Sequence, residues 1–120
     1  MKKSCYTLLL LCTVTFCFAQ EKTTYINQRG EVHLCGPFDI NELEEDSLYA
    51  SWYNKQYDEF KLDDTTYSWS SELNDVEVDI YMGTWCGDSK KWVPSFLKAW
   101  GQLGLDRKKL NYTALYYTNE

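Results

Sequence analysis

Histidine, cysteine and proline are scarce in this sequence of 120 residues. It contains one histidine, His33, five cysteines and two prolines. Tetrahedral metal sites are built from several cysteine and histidine side chains at short, regular spacings. No such cluster of residues occurs along this chain. The sequence therefore predicts neither a metal centre nor another bound cofactor.

Basic residues are also few. Lysine and arginine together number 12, against 18 aspartates and glutamates, so the formal net charge is −6. Proteins that bind nucleic acid neutralise phosphates with clusters of lysine and arginine. The balance argues against a nucleic-acid partner, and the acidity itself predicts little beyond solubility.

The first 19 residues have the pattern of a secretory leader. Two lysines precede an apolar run from Leu8 to Phe18, and Cys17 and Ala19 place small residues at positions −3 and −1 of a cut after Ala19. The run is too short, and too often interrupted by threonine, for a transmembrane anchor. We expect cleavage after Ala19 and a periplasmic or secreted protein without a membrane partner.

Cleavage would leave 101 residues, enough for one small domain, with a net charge near −8. Only Cys35 and Cys86 would remain, and an oxidising compartment would permit a disulfide between them. We expect residues 20–75 to form an N-terminal extension that is partly helical, and residues 76–120 to form the second part of the domain.

Hydrophobic periodicity indicates a strand, a helix and a strand in that second part. Val76 to Met82 alternates apolar with polar residues, a helical stripe runs from about Gly87 to Leu103 and stops at Gly104, and Lys109 to Tyr117 is rich in β-branched and aromatic residues. Such a crossover normally joins parallel strands.

In the extension, a helix start is predicted near Asp39 and an aromatic helix over Leu48–Phe60. Its stripe favours core packing over a sugar-binding platform.

Cys86 lies between the predicted strand and the first turn of the predicted helix. The unpaired N–H groups and partial positive charge at a helix N-terminus favour a thiolate, which is the nucleophilic form of cysteine. Ser89 can donate a hydrogen bond to that thiolate. We expect Lys90 to lower the pKa of Cys86 and Asp88 to raise it, so the net direction stays open.

This motif resembles the active site of the thioredoxin family, in particular an exported bacterial branch that carries Cys-Gly-Asp-Ser. The matching residues are Trp85, Cys86, Gly87, Lys90 and Pro94. The resemblance covers Val76 to Glu120 and implies an α/β fold that is a partial thioredoxin-like fold with an N-terminal helical extension.

Three departures limit what the resemblance implies. Ser89 stands where the family has its second cysteine, and the role of the family's buried acid does not transfer to Asp79, which is one position out of place. The sequence also ends before the family's cis-proline loop, so we expect a C-terminally truncated fragment.

The resemblance implies a thiol–disulfide oxidoreductase of monothiol type, which reduces or isomerises disulfides of proteins or small thiols. Cys86 would attack the disulfide, and an outside thiol or Cys35 would release the product. Two alternatives stay open. For the protein as a whole, the alternative is a redox-inactive binding module of thioredoxin fold in which Cys86 is inert. For Cys35, the alternative to a resolving thiol is a small buried residue.

Overall fold

Five strands and three α-helices make up the described part of the chain. The structure, a computed structural model, describes residues 23–63 and 67–117. In chain order the elements are β1 (Thr24–Ile26), β2 (Val32–Leu34), β3 (Gly36–Pro37), α1 (Asn41–Glu45), α2 (Ala50–Glu59), a 3₁₀ helix (Ser68–Leu73), β4 (Val78–Met82), α3 (Gly87–Gln102), a second 3₁₀ helix (Arg107–Lys109) and β5 (Leu110–Ala114).

The first two strands form an antiparallel hairpin that the sequence patterns above did not predict. Its turn is organised by Asn27, whose Oδ1 accepts the N–H groups of Arg29 and Glu31, each at 2.9 Å. Gly30 takes the positive φ of 80° that the turn needs, a region in which a side chain is disfavoured. The register pairs Tyr25 with His33 and so places the only histidine of the sequence within the hairpin.

The second sheet has the strand order β3-β5-β4, with β4 and β5 parallel and β3 antiparallel to β5. This confirms the predicted strand, helix and strand, although both strands are shorter than expected. The chain is thus a mixed α/β protein. The partial thioredoxin-like fold expected from the cysteine motif is not shown, because the described residues form only small sheets of two and three strands.

One face of α3 packs into the core together with α1 and α2. Val93, Leu97 and Trp100 are buried at helical spacing, whereas Trp92 is 57% exposed. Trp92 and Phe96 also fit the apolar spacing of the stripe predicted over Gly87–Leu103, but they lie beside the buried face rather than on it, so the predicted stripe was partly wrong. The core-packing interpretation of the aromatic helix is confirmed for Tyr53, which is fully buried.

The end of α3 is a Schellman motif, as Gly104 suggested. The Leu105 N–H donates to the carbonyl of Trp100 at 3.2 Å, and the Gly104 N–H donates to that of Gly101 at 3.0 Å. Gly104 has a φ of 74°, which the motif requires. Leu105 and Trp100 are both buried, so the turn directs the chain into the core before β5 begins.

No helix in residues 23–63 or 67–117 has the length and apolar character to cross a membrane.

Candidate functional site around Cys86

Cys86 occupies the N-cap position of α3, just beyond the carboxyl end of β4. Its backbone is extended (φ −91°, ψ 123°), and its carbonyl accepts the Lys90 N–H at 3.0 Å, the first hydrogen bond of the helix. The side chain is half-buried. A helix of 16 residues therefore directs the partial positive charge of its N-terminus toward a thiol that solutes can reach.

Hydrogen-bond donors in the first turn of α3 lower the pKa of Cys86. The largest causes are the backbone N–H and then the hydroxyl of Ser89, with a smaller contribution from the Asp88 N–H. Partial burial and the Asp88 carboxylate act in the opposite direction and are outweighed. The sulfur completes no capping hydrogen bond of ordinary geometry. The donors thus act mainly through their electrostatic attraction to the charged sulfur. The net shift in the pKa of Cys86, whose direction the sequence left open, is downward.

Ser89 is held so that its proton can point at the sulfur. The Gly83 N–H donates to Ser89 Oγ at 3.1 Å, which uses the oxygen as an acceptor and leaves the hydroxyl hydrogen to be donated. The residue at the position of a second cysteine therefore supports the Cys86 thiolate, as expected from its hydroxyl. The Lys90 ammonium, which was expected to share this task, lies 5.7 Å from the centroid of the Trp52 ring.

Trp85 covers the turn between β4 and Cys86. A Cβ atom built on Gly83 would lie 2.5 Å from the Trp85 indole, so only glycine fits beneath the ring. The indole N–H donates to the carbonyl of Leu115 at 2.9 Å, and the ring lies 4.6 Å from that of Tyr117. The conformation of the thiol loop is thus fixed partly by residues that follow β5.

His33 and Thr84 position this loop from the other side, and the sequence patterns above did not identify their role. Thr84 is 1% exposed, and its Oγ1 accepts the Leu34 N–H at 3.2 Å and lies 3.1 Å from His33 Nδ1. The amide of Asn27 lies 3.2 Å from His33 Nε2, so we assign the ring proton to Nδ1. The alternation around the Asn27–Gly30 turn was the signal that could have predicted this hairpin.

Cys35 follows Leu34 and is half-buried. Cys35 and Cys86 are both free thiols, and the structure shows no disulfide between them. The role of Cys35 as a resolving partner stays a prediction.

The remaining motif residues lie along α3. Gly87 and Asp88 are exposed in its first turn, and Pro94 is buried within a helix that continues to Gln102. Proline supplies no N–H, so the helix runs through this position with one backbone hydrogen bond fewer.

Comparison with known proteins gives one family match. The family model for the SPASM iron–sulfur cluster-binding domain matches residues 17–74. No curated protein and no solved structure matches the chain. Domains of this family occur in radical SAM enzymes, so the match is consistent with an enzyme.

The resemblance to thioredoxins is corrected by this match. The matching family is the iron–sulfur domain and not a thioredoxin-like family, so the assignment to an exported thiol–disulfide oxidoreductase, or to a binding module of the same fold, is wrong. The reason lies in how little the motif specifies: a thiol at the N-terminus of a helix that follows a strand has a favourable environment in any such crossover. Trp85, Gly87, Lys90 and Pro94 added too few positions to define a family.

The predicted leader overlaps the matched segment. The match begins at Cys17, within residues 1–19, and gives no support to a signal peptide or to a periplasmic location. The cleavage site lies outside the described residues, so export stays a prediction.

The described residues do not fit an iron–sulfur cluster. Such clusters are held by four cysteine thiolates, or by cysteine together with histidine. Residues 23–63 and 67–117 contain only Cys35 and Cys86, and no group of three or more potential metal ligands occurs among them. The only histidine, His33, is buried against Thr84 and Asn27. Cys17 is part of the match but lies outside the described residues.

Proposed function

We propose that the protein is a cysteine-dependent enzyme in which the Cys86 thiolate adds to the carbonyl carbon of its substrate: the S–C bond forms as the C=O π bond breaks, and the electron pair goes to the oxygen, which takes a proton from water. The observation that carries this proposal is the position of Cys86 at the N-terminus of α3, with the Ser89 and Asp88 donors lowering its pKa. Thiolate, rather than thiol, is the form that attacks.

The surroundings of Cys86 favour a reaction that needs no separate general base. His33, the residue type that most often serves as a base, is 6% exposed and bonded to Asn27 and Thr84. Its ring is thus held in the hairpin and is not free to take a proton from the thiol. A thiolate that is ionised beforehand needs no such partner, because the helix and Ser89 stabilise its charge in advance.

The flanking surface also suits a substrate with apolar parts. Tyr117 is 49% exposed and packs against Trp85, the residue directly before the thiol. These two rings form an aromatic surface at the residue before Cys86, and the proposal places the apolar portion of the substrate on it.

The pH dependence of alkylation tests this proposal. The full chain is treated with iodoacetamide between pH 5 and 10, folded and then unfolded in urea, and labelling of Cys86 is followed by peptide mass spectrometry. We expect Cys86 in the folded chain to reach half of its maximal rate at a lower pH than the same residue in urea. Coincident profiles would contradict the proposal. Cys86→Ser removes the corresponding labelled peptide and serves as the assignment control.

The family match favours a second candidate, a cluster whose other ligands come from cysteines outside the described residues or from a second chain. The full chain is incubated anaerobically with ferrous iron and sulfide, and retained iron and sulfide are measured after gel filtration. Retention that is lost in both Cys17→Ser and Cys35→Ser would support this candidate. The first proposal expects no retained cluster in any of these chains.

A further inference from the structure

The outer edge of β4 is not paired with another strand among residues 23–63 and 67–117. In the order β3-β5-β4 this strand comes last, and its one described partner is β5. The carbonyl of Met82 accepts the Leu115 N–H at 2.7 Å and so faces β5. Because successive residues of a strand direct their backbone groups to opposite sides, the N–H and C=O groups of Asp79 and Tyr81 face outward. Four backbone groups are thus open to a further strand.

The loop that follows β4 limits how far an added strand can extend. The Gly83 N–H already donates to Ser89 Oγ at 3.1 Å, and the Gly83 carbonyl accepts the Cys86 N–H at 3.0 Å. Both backbone groups of the next outward-facing residue are therefore used within the thiol loop. An added strand would lie beside residues 77–81 and would leave that loop unchanged.

An apolar flank of α3 lies over this edge. α2 packs on the other flank, where Lys98 Nζ lies 4.6 Å from the centroid of the Tyr57 ring. The same ring lies 5.9 Å from the guanidinium of Arg107, just before β5, so α2 is on the β5 side of α3. Helical spacing places Trp92 and Phe96 on the opposite flank, where they are 57% and 37% exposed. Apolar side chains of an added strand would meet these two rings.

The segment that contains β4 is acidic. Residues 62–89 contain seven aspartates and glutamates and no lysine or arginine. Glu77 and Asp79 are both exposed. Asp79 Oδ1 accepts a hydrogen bond from the Asn111 amide at 3.0 Å, which orients the carboxylate on the sheet face opposite to α3. A strand added at this edge would therefore meet negative charge on one face and aromatic rings on the other.

Two cations lie near this edge without neutralising it. Lys109 precedes β5 in register with Glu77, and Lys91 lies on α3 with its Nζ 4.5 Å from the Trp92 ring. Within residues 23–63 and 67–117, no ion pair involves Asp79. A second copy of β4 would bring acidic side chains beside acidic ones, which opposes pairing between identical chains. The charge instead complements a basic strand.

We propose that the outer edge of β4 binds an extended segment of a partner protein in which basic and apolar residues alternate. The backbone of that segment pairs with Asp79 and Tyr81. Its basic side chains lie beside Asp79, and its apolar side chains pack against Trp92 and Phe96. In strand addition of this kind, main-chain hydrogen bonds supply affinity and alternate side chains supply selectivity. This surface is independent of the reaction proposed for the thiol.

Binding is tested by NMR titration of the full chain with the terminally blocked peptide KVKIKVK, following backbone amide shifts. The peptide EVEIEVE reverses the charge, and KSKSKSK removes the apolar side. We expect saturable shifts centred on residues 77–82 with KVKIKVK, and about tenfold weaker binding of the other two. No localised shift with KVKIKVK, or equal binding of either comparison peptide, would overturn the proposal. Concentration-dependent shifts of the same amides in the free chain would assign the edge to a second copy and would also overturn it.

Two variants test the side chains. Asp79→Asn removes the charge and keeps the oxygen that accepts from Asn111. We expect it to bind KVKIKVK about two- to fivefold more weakly, whereas Asp58→Asn on the exposed side of α2 binds as the unmodified chain does. Trp92→Ala should bind at least about fivefold more weakly. Because both side chains are exposed, neither variant should lower the thermal midpoint appreciably. Unchanged affinity in Asp79→Asn or in Trp92→Ala would overturn the proposal.

Discussion

At the carboxyl end of β4 an acceptor, the sulfur of Cys86, faces donors from its own helix, whereas at the amino end of β5 two buried donors have no acceptor. The first arrangement stabilises a negative charge that the protein supplies itself. The second leaves the Nε of Arg107 and the hydroxyl of Tyr112 buried without a hydrogen-bond partner. The two ends of one strand pair thus differ in how their donors are used: those at Cys86 face a sulfur that can carry a charge, whereas the two near β5 face no acceptor.

This difference follows from the chain segments that adjoin each site. Cys86 is followed by a long helix, whose first N–H groups have no carbonyl partners within the helix. Arg107 instead follows the tight turn at Gly104, and its guanidinium forms an ion pair with Glu44 at 2.8 Å. Substitutions at each end can break or sharpen this comparison.

The largest effect is expected from Gly83→Ala, which breaks the Cys86 end. The new methyl group would meet the Trp85 indole, and displacing that ring should cost about 2 kcal/mol in the free energy of unfolding measured with urea. Gly87→Ala is the matched control, because a Cβ there has nothing within 4 Å. If both variants are equally stable, Trp85 does not hold the turn as described.

A smaller effect is expected from Ser89→Ala, which sharpens the role of the donors. Loss of the hydroxyl should raise the pKa of Cys86 and so lower its alkylation rate at pH 7, because a smaller fraction of the thiol is then ionised. Ser95→Ala in the same helix is the control, as its hydroxyl donates to the Lys91 carbonyl. Equal rates in Ser89→Ala and the parent chain would show that the backbone donors suffice.

At neutral pH the smallest effect is expected from Tyr112→Phe, because its consequence for stability emerges only at alkaline pH. Tyr112 has a raised pKa in the fold, so the unfolded chain loses this proton first, near the ordinary tyrosine pKa of about 10. The contribution of Tyr112 to stability is therefore full below about pH 10 and is lost as the pH rises through about 12. Above about pH 10, we expect the free energy of unfolding to fall less steeply with pH in Tyr112→Phe than in Tyr81→Phe. At pH 7, the free energies of unfolding of the two variants should differ by less than about 0.5 kcal/mol. Parallel declines would contradict a buried phenol.

Local signals predicted the parts of the fold that depend on neighbours in sequence. The β4–α3–β5 order, the helix end at Gly104 and the position of Cys86 at a helix N-terminus are each set by periodicity or backbone conformation within a few residues. The exposure of Trp92 was not predicted, because both it and Val93 fit an apolar stripe, and only the packing against α2 decides which of them faces the core.

The features that depend on distant residues were beyond the reach of sequence patterns. Thr84 binds His33 across 51 positions, and a cleft lined in part by Arg107 lies between residues 37–41 and the residues of β5. The Tyr112 hydroxyl can be recognised as an unpaired donor only from the atoms that surround it in the fold. The spacing of residues along the chain does not predict those surroundings. The prediction of a thioredoxin-like family was also wrong, because the motif around Cys86 specifies only a local chemical environment that other folds can provide.

The hydrogen bond from Trp85 to Leu115 has a consequence for the order in which the protein matures. Because the acceptor lies 30 residues after the indole that donates to it, the bond cannot form in a chain that ends before residue 115. The turn beneath Trp85, and with it the position of Cys86, is therefore fixed only after the segment that follows β5 has been added.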